Sequence, residues 1–159
     1  MNVWETKTWQ NYYKFRSHKT GLRVRYEKTV DFEVKRALND LVCWLRTKYE
    51  FPVRVRIYVK ASARLKAKNG EMVCGTFFRP ADRNVEPYIR VSAGDYLDLL
   101  KKRGKDDALA SIIWTTLHEL THYFQWLNDI ELTLIGEERQ ATIYANKILT
   151  EYAETREHP

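Results

Sequence analysis

The stretch from Ile112 to Leu127 constrains this chain more than any other. Read as a helix, it is apolar on nearly every side: Ile112, Ile113, Trp114, Leu117, Leu120, Tyr123, Phe124, Trp126 and Leu127. Such a helix is stable only when neighbours cover all of it, so it belongs in the middle of a domain. Asp106 or Asp107 is placed to cap its start. Four polar residues interrupt it, His118, Glu119, His122 and Gln125. They break the run of roughly 20 apolar residues that a bilayer span needs, and no other stretch comes close. Burying a carboxylate and two imidazoles without partners is costly. The chain must therefore fold around this helix and give those groups something to bind.

Their spacing says what. His118-Glu119-Leu120-Thr121-His122 is an HExxH motif. Histidines four apart project from one helical face, a turn apart, so both imidazoles reach one tetrahedral zinc. Glu119 is rotated about 100° from His118, which lets it reach a water at the metal without taking a coordination position. The plain alternative, two core histidines and a chance glutamate, leaves the buried charge unexplained.

The rest of the chain supplies one domain around that helix. Its 159 residues are 44% hydrophobic and 30% charged, a globular balance. Asp31 caps a helix in which Val34, Leu38, Leu41, Val42 and Leu45 recur at helical spacing. Val53, Val55, Ile57 and Val59 then alternate with Arg54, Arg56, Tyr58 and Lys60, a half-buried strand. Asn69-Gly70 marks a turn, with strands expected over 72–78 and 88–91. A short helix is expected over 93–102, and a last helix after a connection over 128–136. The order is α-β-β-β-α-α-α. It predicts an α+β domain with a small, mostly antiparallel sheet of three to four strands, packed on the N-terminal helix and the central one. Residues 31–159 form this domain. Residues 1–30 form a basic, aromatic arm, with a short strand around Leu22–Tyr26.

The N-terminus lacks the apolar core of a secretory signal, which makes the cytoplasm the expected location and a membrane an unexpected partner. Cys43 and Cys74 form no metal-type pair and read as two buried thiols. Net charge is +6 and the pI about 9.3. The excess lies in 14–28 and 54–68, where Arg23, Arg25, Arg54, Arg56 and Lys60 are interleaved with tyrosines. The ordinary reading is a solvated surface, and the sharper one a nucleic-acid or acidic-protein contact.

A catalytic zinc takes three protein ligands and leaves one position open. The chain has four histidines, His18, His118, His122 and His158. A metzincin continuation would need glycine at 125 and histidine at 128, where Gln125 and Asn128 stand. A SprT-like site needs a downstream histidine, and only His158 follows. A carboxylate is left: Glu137 or Glu138, between which helical phase does not choose, with Asp129 and Glu131 behind them.

His118-Glu119-Leu120-Thr121-His122, followed by Glu138-Arg139-Gln140-Ala141 and Tyr144-Ala145, resembles the gluzincin group and is most similar to the small ImmA/IrrE-type peptidases. The resemblance covers about 35 residues, Leu117 to Leu149, and implies a minimal zincin-like fold. It implies Glu138 as third ligand to a single zinc ion, beside His118 and His122. The position after Ala141, where that family often carries Asp or Asn to orient a ligand histidine, is Thr142 here. It further implies that the strand over 88–91 is the edge on which an extended substrate pairs.

The function expected on these grounds is a zinc endopeptidase acting on a specific intracellular protein, with Glu119 as general base. Tyr88, Tyr123 and Tyr144 are candidates to stabilise the oxyanion, as is Tyr96. Two other readings stand beside it: a nucleic-acid-associated protein or protease using the basic N-terminal half, and a zinc protein with no catalytic activity.

Overall fold

We describe the fold from a computed structural model of the chain, over residues 1–13 and 18–159. Lys14, Phe15, Arg16 and Ser17, which belong to the expected basic segment, lie outside the described residues.

After a short 3-10 turn, Thr8–Asn11, the chain enters β1, Leu22–Tyr26, and then α1, Phe32–Lys48. Asp31 caps α1 as expected, accepting from the Glu33 N–H at 2.8 Å. The chain returns as β2, Val55–Lys60. A small hairpin follows, β3 (Leu65–Lys66) and β4 (Met72–Val73), turned at Gly70, whose φ of 86° suits glycine. Then come β5, Gly75–Phe78, and β6, Tyr88–Ser92. Three helices close the chain: α2 (Tyr96–Arg103), α3 (Lys105–Leu127) and α4 (Leu134–Ala153).

The class is α+β, but the sheet is not mostly antiparallel. Its order is β1-β2-β6-β5, with β1–β2 and β2–β6 parallel and only β5–β6 antiparallel. The reason is α1, which lies between β1 and β2 in the chain and carries it back for a parallel pairing that no tight turn can make. Leu22–Tyr26 is thus a full sheet member and not a strand on an arm. The single strand expected over 72–78 is two. Met72 and Val73 pair with β3, and from Gly75 the chain joins the main sheet. Strand β6 lies inside the sheet, so the edge expected there is β5 instead.

One face of the sheet is the core. Leu22, Val55, Ile57, Val59, Ile89 and Val91 are buried in one cluster with Val34, Leu38, Leu41 and Leu45 of α1 and Ile113, Leu117 and Leu120 of α3. Each such side chain contributes about 1.5–3 kcal/mol by leaving water. The helix α3 lies in the interior, as its composition demanded. It begins directly after Gly104, so Asp106 and Asp107 sit in its first turn, where acids favour the helix dipole, and do not cap it. Thr133 caps α4 by accepting from the Gly136 N–H at 3.0 Å, which starts that helix earlier than expected. Cys43 and Cys74 are exposed, not buried. Among the described residues no helix is long and apolar enough to cross a membrane.

The N-terminal residues pack on the back of α3. Trp4 is buried against Phe124 and Tyr49, with ring centroids 4.7 and 5.0 Å away, and its Nε1 donates to Thr121 Oγ1 at 3.0 Å. The Trp9 N–H donates to Asn128 Oδ1 at 3.0 Å.

Candidate metal centre

The helical spacing delivers His118 and His122 to one side of α3, their rings 5.0 Å apart. The first turns of α4 run past that side. Glu138 reaches in from there, with Oε2 3.0 Å from His118 Nε2 and Oε1 3.0 Å from His122 Nε2. One ligand atom from each of the three residues lies within 4.8 Å of the others. Glu137, the rival that helical phase could not exclude, is taken elsewhere. It accepts both guanidinium nitrogens of Arg79, at 3.0 and 3.2 Å. Asp129 faces Arg83 and Tyr12, and Glu131 is exposed outside the cluster. His18 meets the Pro52 carbonyl and His158 meets Asp106, so neither joins the site.

Hydrogen bonding decides which imidazole nitrogens face Glu138. Gln125 is buried, and its Nε2 donates to the Glu137 carbonyl and to Gln140 Oε1, both at 3.0 Å. Its Oε1 is therefore an acceptor, and it takes the Nδ1–H of His122 at 2.8 Å. That leaves the lone pair of His122 Nε2 facing a carboxylate oxygen. Two acceptors at 3.0 Å repel unless a proton or a metal ion lies between them. His118 adds a buried Nδ1 with no hydrogen-bond partner. Burial first, and His122 second, lower the His118 pKa, which favours the neutral, metal-ligating form. Two imidazoles and one carboxylate are a donor set that suits zinc and leaves a position open.

Glu119 lies beside these groups and is buried, 7% exposed. Burial, and then the charge of Glu138, push its carboxyl up to about 8. The edge strand β5 lies hard against it. A Cβ on Gly75 would fall 2.9 Å from Glu119 Cγ and 2.8 Å from Thr115 Cγ2. Glycine is thus required at 75 by close approach, and the edge of the sheet sits directly over the catalytic-base candidate. The resulting cleft, about 640 Å³, has α3 as its floor, β4–β5 as one wall and the start of α4 as the other. Arg79 and Glu137 bridge the two walls.

The tyrosines do not line this cleft. Tyr123 is wholly buried on the other side of α3, its O–H donating to the Val53 carbonyl at 2.5 Å. Tyr144 donates to the Met1 carbonyl at 2.6 Å. Tyr88 stands on the outer face of the sheet, stacked on Phe78, and Tyr96 is buried at the start of α2. Sequence reasoning missed Gln125, Gly75 and Arg79. Gln125 carried a signal, an amide in an apolar run three residues beyond His122 and so on the same helix face. Arg79 carried none, because its partner is 58 positions away.

Arg23, Arg25, Arg54, Arg56 and Lys60 do not line the cleft. Arg54 and Arg56 both pair with Glu86, at 2.7 and 2.9 Å, while Arg23, Arg25 and Lys60 stand on the outer face of the sheet. Compared with known proteins, the chain matches no family model, no curated protein and no solved structure.

Proposed function

We propose that this chain is a zinc-dependent peptidase of the gluzincin kind, with a minimal zincin-like fold like that of the small ImmA/IrrE-type peptidases. In this reading it cleaves a specific intracellular protein. The observation that carries it is the convergence of His118 Nε2, His122 Nε2 and the Glu138 carboxylate, with Glu119 buried alongside in an open cleft. Zinc held there would polarise the scissile carbonyl and make water a nucleophile near neutral pH.

The chain's own residues do the rest. Glu119 takes the proton of the attacking water and returns it to the leaving amine. Gln125 holds His122 in the tautomer that presents Nε2, and is anchored on α4 for that purpose. The free edge of β5 receives an extended substrate by strand addition, which sets its backbone along the cleft. Gly75 lets that edge come close enough to Glu119 for the carbonyl to lie beside it. The cleft is open along β5, which suits an extended protein segment.

The test uses zinc-loaded protein and a mixture of folded intracellular proteins from the organism that makes this chain, with new N-termini read by mass spectrometry. Wild type is expected to generate them, and Glu119→Gln to lower the rate by about 10²–10⁴-fold while keeping its zinc. Equal rates in both would assign the cleavage to a contaminant. Zinc without cleavage in wild type would make the site structural and overturn the proposal.

A further inference from the structure

Among the described residues no helix covers the second face of the sheet. Strand register assigns its residues. Arg23, Arg56, Tyr88 and Phe78 form one row across β1, β2, β6 and β5, and Arg25, Tyr58, Arg90 and Thr76 form the next. Lys60 extends β2 on the same face. None of these positions is buried and none carries an acid, whereas their neighbours on each strand point into the core.

The rings make a platform. Tyr88 stacks on Phe78 at 4.9 Å and meets Tyr58 edge-on at 5.9 Å. Cations surround it: Lys60 lies 5.7 Å from the Tyr58 ring, and Lys68 of the β3–β4 turn 5.9 Å from Phe78. Arg54 and Arg56 share Glu86. Arg23, Arg25, Lys60 and Arg90 pair with no acid among the described residues, and Arg90 is held instead by Thr76 Oγ1 and the Lys66 carbonyl. A groove of about 310 Å³ opens between that turn and Thr76, Phe78, Tyr88 and Arg90.

We propose that this face binds single-stranded nucleic acid. The charge is complementary to a phosphodiester chain, and the exposed Tyr88, flanked by the half-buried Phe78 and Tyr58, offers a ring to unstacked bases. Open four-stranded sheets with surface aromatics hold two or three bases in this way in RNA-binding modules. An acidic protein would use the arginines and leave the row of rings without a role. A duplex keeps its bases stacked and would do the same. Rings and guanidinium groups recognise features that DNA and RNA share, so both are ligands. The cleft and the groove meet along β5, where both are lined by Thr76, Phe77 and Arg79, but the binding does not depend on the peptidase reading.

The experiment is fluorescence anisotropy with a labelled oligothymidylate of about 20 nucleotides, the matching oligouridylate and a duplex of the same length. Both single strands are expected to bind, more tightly than the duplex, and to weaken with salt by about 0.7 in log–log slope for each phosphate neutralised. Tyr88→Ala is expected to weaken binding about tenfold and Tyr88→Phe to restore it. Arg25→Ala, at an exposed position outside the core, is expected to lower the salt slope by about 0.7. No binding at low salt, tighter binding of the duplex, or a Tyr88→Ala variant equal to wild type would each overturn the proposal.

Discussion

The two sides of α3 bury polar groups in different ways. On the back, Thr121 accepts from Trp4 Nε1 and donates to the Leu117 carbonyl. Asn128 accepts from the Trp9 N–H and donates to the Phe124 carbonyl, and Tyr123 bonds Val53. There the chain satisfies itself, using its N-terminal residues as the cover. On the front, His118 Nδ1 has no partner, His122 Nε2 faces a carboxylate, and Glu119 is held well above its ordinary pKa. The same helix thus carries one finished surface and one where the Nε2 atoms of His118 and His122 and the Glu138 carboxylate would be completed by a bound cation. Buried polar groups stabilise a fold where partners are complete, and mark a site where they are not.

That contrast can be broken from either side. The largest effect on stability is expected from the back. Trp4→Ala should cost about 3–5 kcal/mol in denaturant unfolding, through a lost aromatic packing unit and the stranded Thr121 contact. It should leave metal stoichiometry unchanged, since Trp4 touches nothing on the front. If metal were lost with it, the two sides would not be separate.

A smaller effect, of the opposite kind, is expected from Gln125→Leu. The side chain volume stays, but His122 Nδ1–H loses its acceptor. Metal affinity should fall about 10–100-fold by competition with a chelator. Unchanged affinity would show that Gln125 only fills space.

A third effect sharpens the contrast through pH. In the metal-free chain the Glu119 carboxyl titrates at about 8, against 4.5 for an ordinary glutamate. Between those values the folded chain keeps a proton that the unfolded chain releases. Metal-free stability must then fall as pH rises from about 4.5 to 8. Glu119→Gln carries no charge and should remove that fall, so its melting temperature should exceed wild type by several degrees at pH 8 and by less at pH 5. A constant difference at both would mean that Glu119 is solvated and not a buried base.

Much of the front surface was legible before any fold was known, because it is local. His118, Glu119 and His122 lie within one helical turn and their spacing carries their geometry. The choice of Glu138 over Glu137 was not legible from phase. It depends on Arg79, which arrives from the end of β5 and occupies Glu137. The sheet was misread for a related reason. Alternation revealed the strands, but parallel pairing of β1 with β2 depends on α1 acting as a crossover, and period-two patterns say nothing about direction. The edge role moved from β6 to β5 by the same error. The oxyanion tyrosines failed because a tyrosine's address is set by packing, and Tyr123 and Tyr144 are used to fasten α3 and α4 to other segments. Loop-to-helix contacts such as Trp4 with Thr121 span 117 positions and leave no trace in sequence.

The central claim is that the front of α3 is completed by a metal ion. Elemental analysis of the purified protein, beside its His118→Ala variant, tests it most directly. The account predicts about one zinc per wild-type chain, removed by the substitution without loss of fold. A wild-type chain that holds no zinc after reconstitution, or a His118→Ala variant that holds as much as wild type, would contradict it.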